Sequence, residues 1–205
     1  MIRRFGAAPE AGRRYHRRPG AYAILPLDGG LVMTHQSAPE PEIQLPGGGI
    51  DPGEAPVAAL HREVREETGW KIAAPRRIGA WRRFVFMSEY DLWAEKICMI
   101  FVARPTVCIG QPTEPGHISL WLPSDLAADA PGNPGDRFFV SQFLDEEDFG
   151  PFGCLTQSRA KACPRVVREE LRIDHQESVF IEMVEELLQR FFIRSETAHF
   201  ESKSR

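Results

Sequence analysis

The chain lacks any apolar run long enough to cross a bilayer. The longest stretches, such as residues 97–103, fall far short of the roughly 20 residues a spanning helix needs. No apolar segment follows Met1-Ile-Arg-Arg, so no secretory leader is read and a cytoplasmic protein without membrane partners is expected. No two of the four cysteines (Cys98, Cys108, Cys154, Cys163) stand at the two-residue gap of a zinc knuckle or redox motif. Cys98 sits in an apolar run and reads as a core thiol. Cys154 and Cys163 could pair in an oxidising compartment, but without a leader all four read as reduced. No internal repeat of fold-defining length is present. The 205 residues are 42% hydrophobic, 26% charged and 10% aromatic. Those proportions exclude collagen-like, coiled-coil and wholly disordered chains and predict one globular domain with extensions.

Charge is unevenly spread. Residues 1–18 carry six arginines (Arg3, Arg4, Arg13, Arg14, Arg17, Arg18) against Glu10, a local +5, while the whole chain is −4. Such an arm either touches phosphates or an acidic partner, or is a solvated arm partly pinned to its domain. Residues 1–19 are therefore set apart as a basic arm, 20–150 as the main domain and 151–205 as a helical extension with a polar tail. In the extension Phe180, Val184, Leu187, Leu188 and Phe191 recur at helical spacing. They predict a helix docked on its own domain or forming a homodimer contact.

Within the main domain, residues 21–27 and 31–35 read as strands around an Asp28-Gly29-Gly30 turn. A helix is predicted from Pro56 to Thr68, with Pro56 in its first turn and Gly69 just past its end. Val57, Leu60 and Val64 give it an apolar stripe. Strands follow at about 78–87, 96–103 and 118–122, then a short helix at about 123–130. Strands mixed with two or three helices predict an α+β or layered α/β domain.

In the central helix Glu63, Glu66 and Glu67 stand at i, i+3 and i+4, so they share one flank. They repel one another and lie near the helix C-terminus, where the dipole disfavours anions. Each effect costs on the order of 0.3–1 kcal/mol. A hard divalent cation would offset that cost, Mg²⁺ being one that accepts few carboxylates plus waters and phosphate oxygens. Taken alone, the glutamates read more simply as a solvated face offset by Arg62 and Arg65.

Their setting decides between the two. From Gly48, five residues lead to Glu54, and seven more lead to Arg62-Glu63-Val64-Arg65-Glu66-Glu67-Thr68-Gly69-Trp70. This resembles the Nudix box: Gly, five residues, Glu, seven residues, Arg-Glu-aliphatic-any-Glu-Glu-any-Gly-aliphatic. At roughly one chance in fifteen per letter, all seven fixed letters would coincide by accident about once in a million chains. Trp70 departs from the aliphatic at the last position. The lead-in from Gln44 and the later segment Trp121 to Leu126 are also similar to the family, over about residues 20–145. Val167-Arg-Glu-Glu170 repeats four letters of the box without its upstream pair or its glycine, and no chemistry is assigned to it.

The resemblance implies an α/β fold, an α/β/α sandwich with a mixed central sheet and a loop–helix–loop motif. It implies a hydrolase of nucleoside diphosphate-linked substrates using Mg²⁺ or Mn²⁺, with water attacking phosphorus. Glu66 and Glu67 would be metal ligands, with the Gly47 carbonyl a third, and Glu63 a ligand or the general base. Glu54 and Arg62 would orient them. Members often add a carboxylate from outside the box; Glu114 is the first candidate here, followed by Glu95. Tyr90 and Trp93, in a loop, are candidates to stack on a base, whereas Trp81 and Phe86 read as core. Marks of the subgroups acting on ADP-ribose, dinucleoside polyphosphates, NADH and coenzyme A are absent. A nucleoside triphosphate or the 5′ end of RNA stays open. A Nudix-fold nucleotide-binding module without turnover is the alternative; a damaged box is its usual sign, and the box carboxylates here are intact.

Overall fold

The computed structural model describes residues 2–37 and 41–145. The extension helix and the homodimer face expected beyond residue 150 lie outside the described residues. The elements run β1 (Arg3–Arg4), β2 (His16–Leu27), β3 (Gly30–Gln36), β4 (Glu42–Gln44), β5 (Gly47–Gly49) and α1 (Pro56–Thr68). Then come β6 (Trp70–Met87), β7 (Leu92–Cys108), β8 (His117–Pro123), α2 (Ser124–Ala127) and α3 (Pro134–Asp145). A 3-10 turn, Ser88–Tyr90, joins β6 to β7. The sheet order is β1-β6-β7-β2-β3-β4, with β5 also on β2 and β8 on β3. It is mixed: β2 runs parallel to β7 and β1 parallel to β6, and the other pairs are antiparallel.

The α1 helix starts on Pro56 and stops at Gly69, whose φ of 73° lets its N–H reach the Arg65 carbonyl at 2.9 Å. Ala59, Leu60 and Val64 form its buried stripe. Leu60 and Val64 pack among Ala21, Ala23 and Leu25 of β2 and Phe101 and Ala103 of β7. Val57, expected on that stripe, is 41% exposed.

Side chains alternate across a strand, so Tyr22 and Cys98 point to the other face. Helix α3 covers that face. Trp81, paired with Cys98 in the sheet, is fully buried and donates its indole N–H to Asp136 Oδ1 at 3.1 Å. Gly135 of α3 abuts the Trp81 ring and Gly79 abuts Phe139. The result is the expected α/β/α sandwich, although α3 itself was not anticipated from sequence. Among the described residues no helix is long and apolar enough to cross a membrane.

The β6 and β7 strands are nearly twice as long as the 78–87 and 96–103 read from sequence. Register irregularities between Lys71/Ile72, Ala73/Arg76 and Arg77/Gly79 let β6 continue through Pro75. Those breaks, with the arginines around them, erase the apolar alternation a sequence reading depends on. The basic arm also differs from a solvated segment. Residues Arg3 and Arg4 join the edge of β6, Phe5 packs edge-on against Trp81 at 5.9 Å, and β2 already begins at His16. Cys98 is the expected free, buried thiol, pushed up to about 12 by burial. Cys108, at the more open end of β7, is disulfide-bonded, which corrects the reading of four reduced cysteines.

Burial raises the Asp136 carboxyl to about 7 from 3.8. Its contribution to stability is therefore greatest below pH about 4 and declines as pH rises to about 7. Asp136→Asn keeps an acceptor for Trp81 without acquiring charge. The melting temperature of the wild type should fall relative to this variant by several degrees between pH 5 and pH 8. Thermal melts across that range check it; parallel curves would place the Asp136 carboxyl in water rather than between α3 and the sheet.

Candidate active site

The loop–β5–α1 segment brings the box residues together. One guanidinium organises them. Arg62 grips Glu54 with two bonds (Nη2 to Oε2 2.9 Å, Nε to Oε1 3.1 Å) and donates to Glu63 Oε1 at 2.7 Å. It reaches Glu66 Oε2 at 3.4 Å and the Gly49 carbonyl at 3.1 Å. Glu54 in turn accepts from the Asp51 N–H at 3.1 Å, and these bonds, the Arg62 one foremost, hold its carboxyl below the usual range. A planar fork with five donors is what such multiple contacts require, and a lysine could not reproduce them.

Glu67 is 4% exposed and buries its carboxylate against β5, where Oε2 accepts from the Gly47 N–H at 2.9 Å. The described bond to Glu67 thus comes from the N–H of Gly47; the expectation had singled out its carbonyl. Glu63 lies over Gly48 so closely that a Cβ there would come within 2.6 Å of its carboxyl carbon. A side chain at 48 would therefore push the Glu63 carboxylate out of its present place.

Burial raises the carboxyl of Glu67 well above its ordinary value, and Glu63, Glu114 and Glu66 raise it further. Burial likewise raises Glu63, against the opposing pull of Arg62. Glu114, expected as an outside carboxylate, is joined to this group. Its N–H and that of Thr113 donate to the Glu66 carbonyl at 3.0 and 2.7 Å. His117, on β8, has Nε2 3.3 Å from Glu67 Oε1 and Nδ1 3.3 Å from the Pro115 carbonyl. The pairing of β8 with β3 carries this histidine to the site.

Oxygen-only donors, clustered negative charge and raised carboxyls fit a hard divalent cation. Among the described residues no three acidic, His or Cys side chains already stand around one point. The reason is visible: Arg62 engages Glu63 and Glu66, and Glu67 turns to Gly47 and His117. Loading an ion requires at least one of these carboxylates to turn away from its present partner.

Tyr90 and Trp93 lie elsewhere, at the tip of the β6–β7 hairpin. Trp93 is five residues along β7 from Cys98, which is in register with Gly20 and, through it, Gly49. That is about 17 Å along the strand. Their faces are taken by arginines: Arg13 over Trp93 at 3.9 Å and Arg18 over Tyr90 at 4.5 Å. Phe86, read as core, is 47% exposed. On the α3 face a further polar set went unnoticed in the sequence. Arg83 bonds Asn133, Asn133 donates to Glu42 at 2.9 Å, and Lys96 is opposite Arg83 in register. Burial lowers the Lys96 amine, and Arg83 adds to the effect. The period-two spacing of Trp81 and Arg83 against Lys96 and Cys98 was the signal available for it.

The profile of the NUDIX domain matches residues 15–143. The chain belongs to the Nudix family. Its Nudix domain is 40% identical over 126 residues to an RNA pyrophosphohydrolase of Halorhodospira halophila, covering 62% of each chain. It is 30% identical over 100 residues to an 8-oxo-(d)GTP phosphatase of Mycolicibacterium smegmatis, covering 49% of this chain and 29% of that one. The chain spans half the length of a Bacillus subtilis relative, 35% identical over 74 residues, and 62% of the Halorhodospira one. Among solved structures, a Nudix hydrolase from Nitrosomonas europaea superposes with a TM-score of 0.52 at 16% identity, over 62% of this chain and 88% of that chain. A MutT protein from Bacillus halodurans gives 0.52 at 21%, over 62% and 82%. At these identities the likeness concerns fold alone.

The raised Glu67 carboxyl sets a sign. Its contribution to stability is fully present below the unfolded carboxyl value and is lost as pH rises through the folded one. Glu67→Gln should therefore melt higher than wild type at pH 8 without divalent ions, and near wild type at pH 4. Millimolar Mg²⁺ should raise the wild type only, narrowing the gap. Melts in a two-by-two design of pH and metal check this; a variant that melts lower at pH 8 would mean that the Glu67 charge is already satisfied.

Proposed function

We propose that the protein is a metal-dependent hydrolase of pyrophosphate bonds in nucleotide-type substrates. The observation that carries the reading is the set Glu63, Glu66 and Glu67, arrayed on α1 against β5, the first two tied by one arginine and the third held by the Gly47 N–H. Glu66 and Glu67, with the Gly47 carbonyl, would hold Mg²⁺ or Mn²⁺, which when bound neutralises phosphate charge and makes a water nucleophilic. Attack of that water on phosphorus needs a proton acceptor, and Glu63, whose carboxyl burial already raises, is the candidate. Glu54 and Arg62 keep the carboxylates in place, and Glu114 adds negative charge at the same edge. On the α3 face Arg83, Asn133 and Glu42 offer donors and acceptors of the kind that would read the rest of the substrate. The relatives' names support two substrates: an oxidised guanine nucleotide and the 5′ end of RNA.

A release screen with Mg²⁺ and with Mn²⁺ tests this, using nucleoside triphosphates, oxidised guanine nucleotides, dinucleoside polyphosphates and triphosphorylated RNA. Metal-dependent cleavage is expected, with Glu67→Gln reduced at least a hundredfold. Silence across the panel with metal bound would favour the nucleotide-binding module without turnover.

A further inference from the structure

The basic arm and the tip of the β6–β7 hairpin meet at one end of the sheet, away from the carboxylates. There Tyr15 contacts Phe84 (4.8 Å between ring centroids) and Trp93 (6.0 Å), and Phe86 leans on Trp93 (5.4 Å). The arm is folded, not loose. The Tyr15 hydroxyl accepts from the Glu10 N–H at 3.0 Å, and Arg13 is ion-paired to Glu10 at 2.6 Å. Arg17 bonds Glu95 at 3.3 Å. Arg13, Arg14, His16, Arg17 and Arg18 are all exposed. Among the described residues Arg14 and Arg18 make no ion pair. The five positions thus form a basic strip bordered by exposed rings, Phe86 at 47% and Tyr90 at 55%.

We propose that this surface binds a single-stranded nucleic-acid chain. Three features point to that ligand over another polyanion. First, the exposed Phe86 and Tyr90 rings stand beside guanidinium groups, the pairing that stacks bases while tracking phosphates. Second, Arg13 and Arg18 sit over the Trp93 and Tyr90 rings, which orders them; Arg13 is also held by Glu10, whereas Arg18 has no carboxylate partner among the described residues and can meet a phosphate oxygen. Third, residues 1–18 carry a local +5 on a chain whose net charge is −4, so a polyanion is steered to this end. A mononucleotide bound at Glu63–Glu67 would not reach Trp93, about 17 Å along β7 from the position level with Gly49; a chain continuing from it past Arg18 would. The surface therefore favours polynucleotide 5′ ends over free nucleotides as substrate. That last step rests on the pyrophosphohydrolase reading, whereas the binding itself does not.

The test uses the full-length protein and a labelled 5′-hydroxyl 12-mer, which carries no anhydride to cleave, followed by fluorescence anisotropy. Single-stranded RNA and DNA are expected to bind at least tenfold tighter than the same sequence as a duplex. Arg14→Ala/Arg17→Ala should weaken binding at least tenfold and make the dependence of log affinity on log salt shallower by about one. Phe86→Ala should weaken it about tenfold. Both variants should cleave a nucleoside triphosphate at the wild-type rate while their KM for triphosphorylated RNA rises. Failure of the wild type to bind the 12-mer at 100 µM protein, equal duplex binding, or unchanged affinity in folded variants would each overturn the proposal. Binding without any hydrolysis would leave it standing and count against the enzyme reading alone.

Discussion

The guanidinium of Arg62 is the interaction on which the site depends. Three carboxylates within two turns near a helix C-terminus are electrostatically unfavourable. Arg62 meets Glu54, Glu63, Glu66 and the Gly49 carbonyl at once, and so ties helix, loop and strand β5 into one unit. The fourth member, Glu67, is held by the Gly47 N–H under nearly complete burial. Charge is thereby gathered where the fold only partly compensates it. A site of that kind would favour a cation, because the ion would offset repulsion already present.

The remainder of the fold serves that placement. Ala21 and Ala23 on β2 are small enough for α1 to lie close, and Gly20, Ala21 and Tyr22 of the same strand pair with β5 and bring its glycines beneath Glu63 and Glu67. The same β2 begins early, at His16, and runs parallel to the long β7. One pair of strands therefore carries both the carboxylate edge and, several residues away, the arginine and aromatic end. Trp81 and Asp136 fasten α3 to the opposite face, so neither end stands on a loose support.

The helix and its chemistry were legible in the sequence because their signals are local. Pro56, Gly69 and the spacing of Glu54, Arg62, Glu63, Glu66 and Glu67 lie within one short segment. What escaped was non-local. Helix α3 has little apolar periodicity, and its anchor is a contact between residues 55 positions apart. His117 meets Glu67 only through the pairing of β8 with β3, which nothing in its own neighbourhood of the sequence shows. Tyr90 and Trp93 were recognisable as unusual aromatics, but their partners, Arg18 and Arg13, come from the arm. Bulges concealed the length of β6 by breaking its alternation.

Direct titration of the metal-free protein with Mn²⁺, read by the loss of the free-ion electron paramagnetic resonance signal, tests the central claim most closely. Saturable binding is expected in the wild type, with at least tenfold weaker binding in Glu67→Gln and in Glu66→Gln. Equal binding by wild type and both variants, or none by the wild type, would contradict the assignment of these helix carboxylates to a divalent cation.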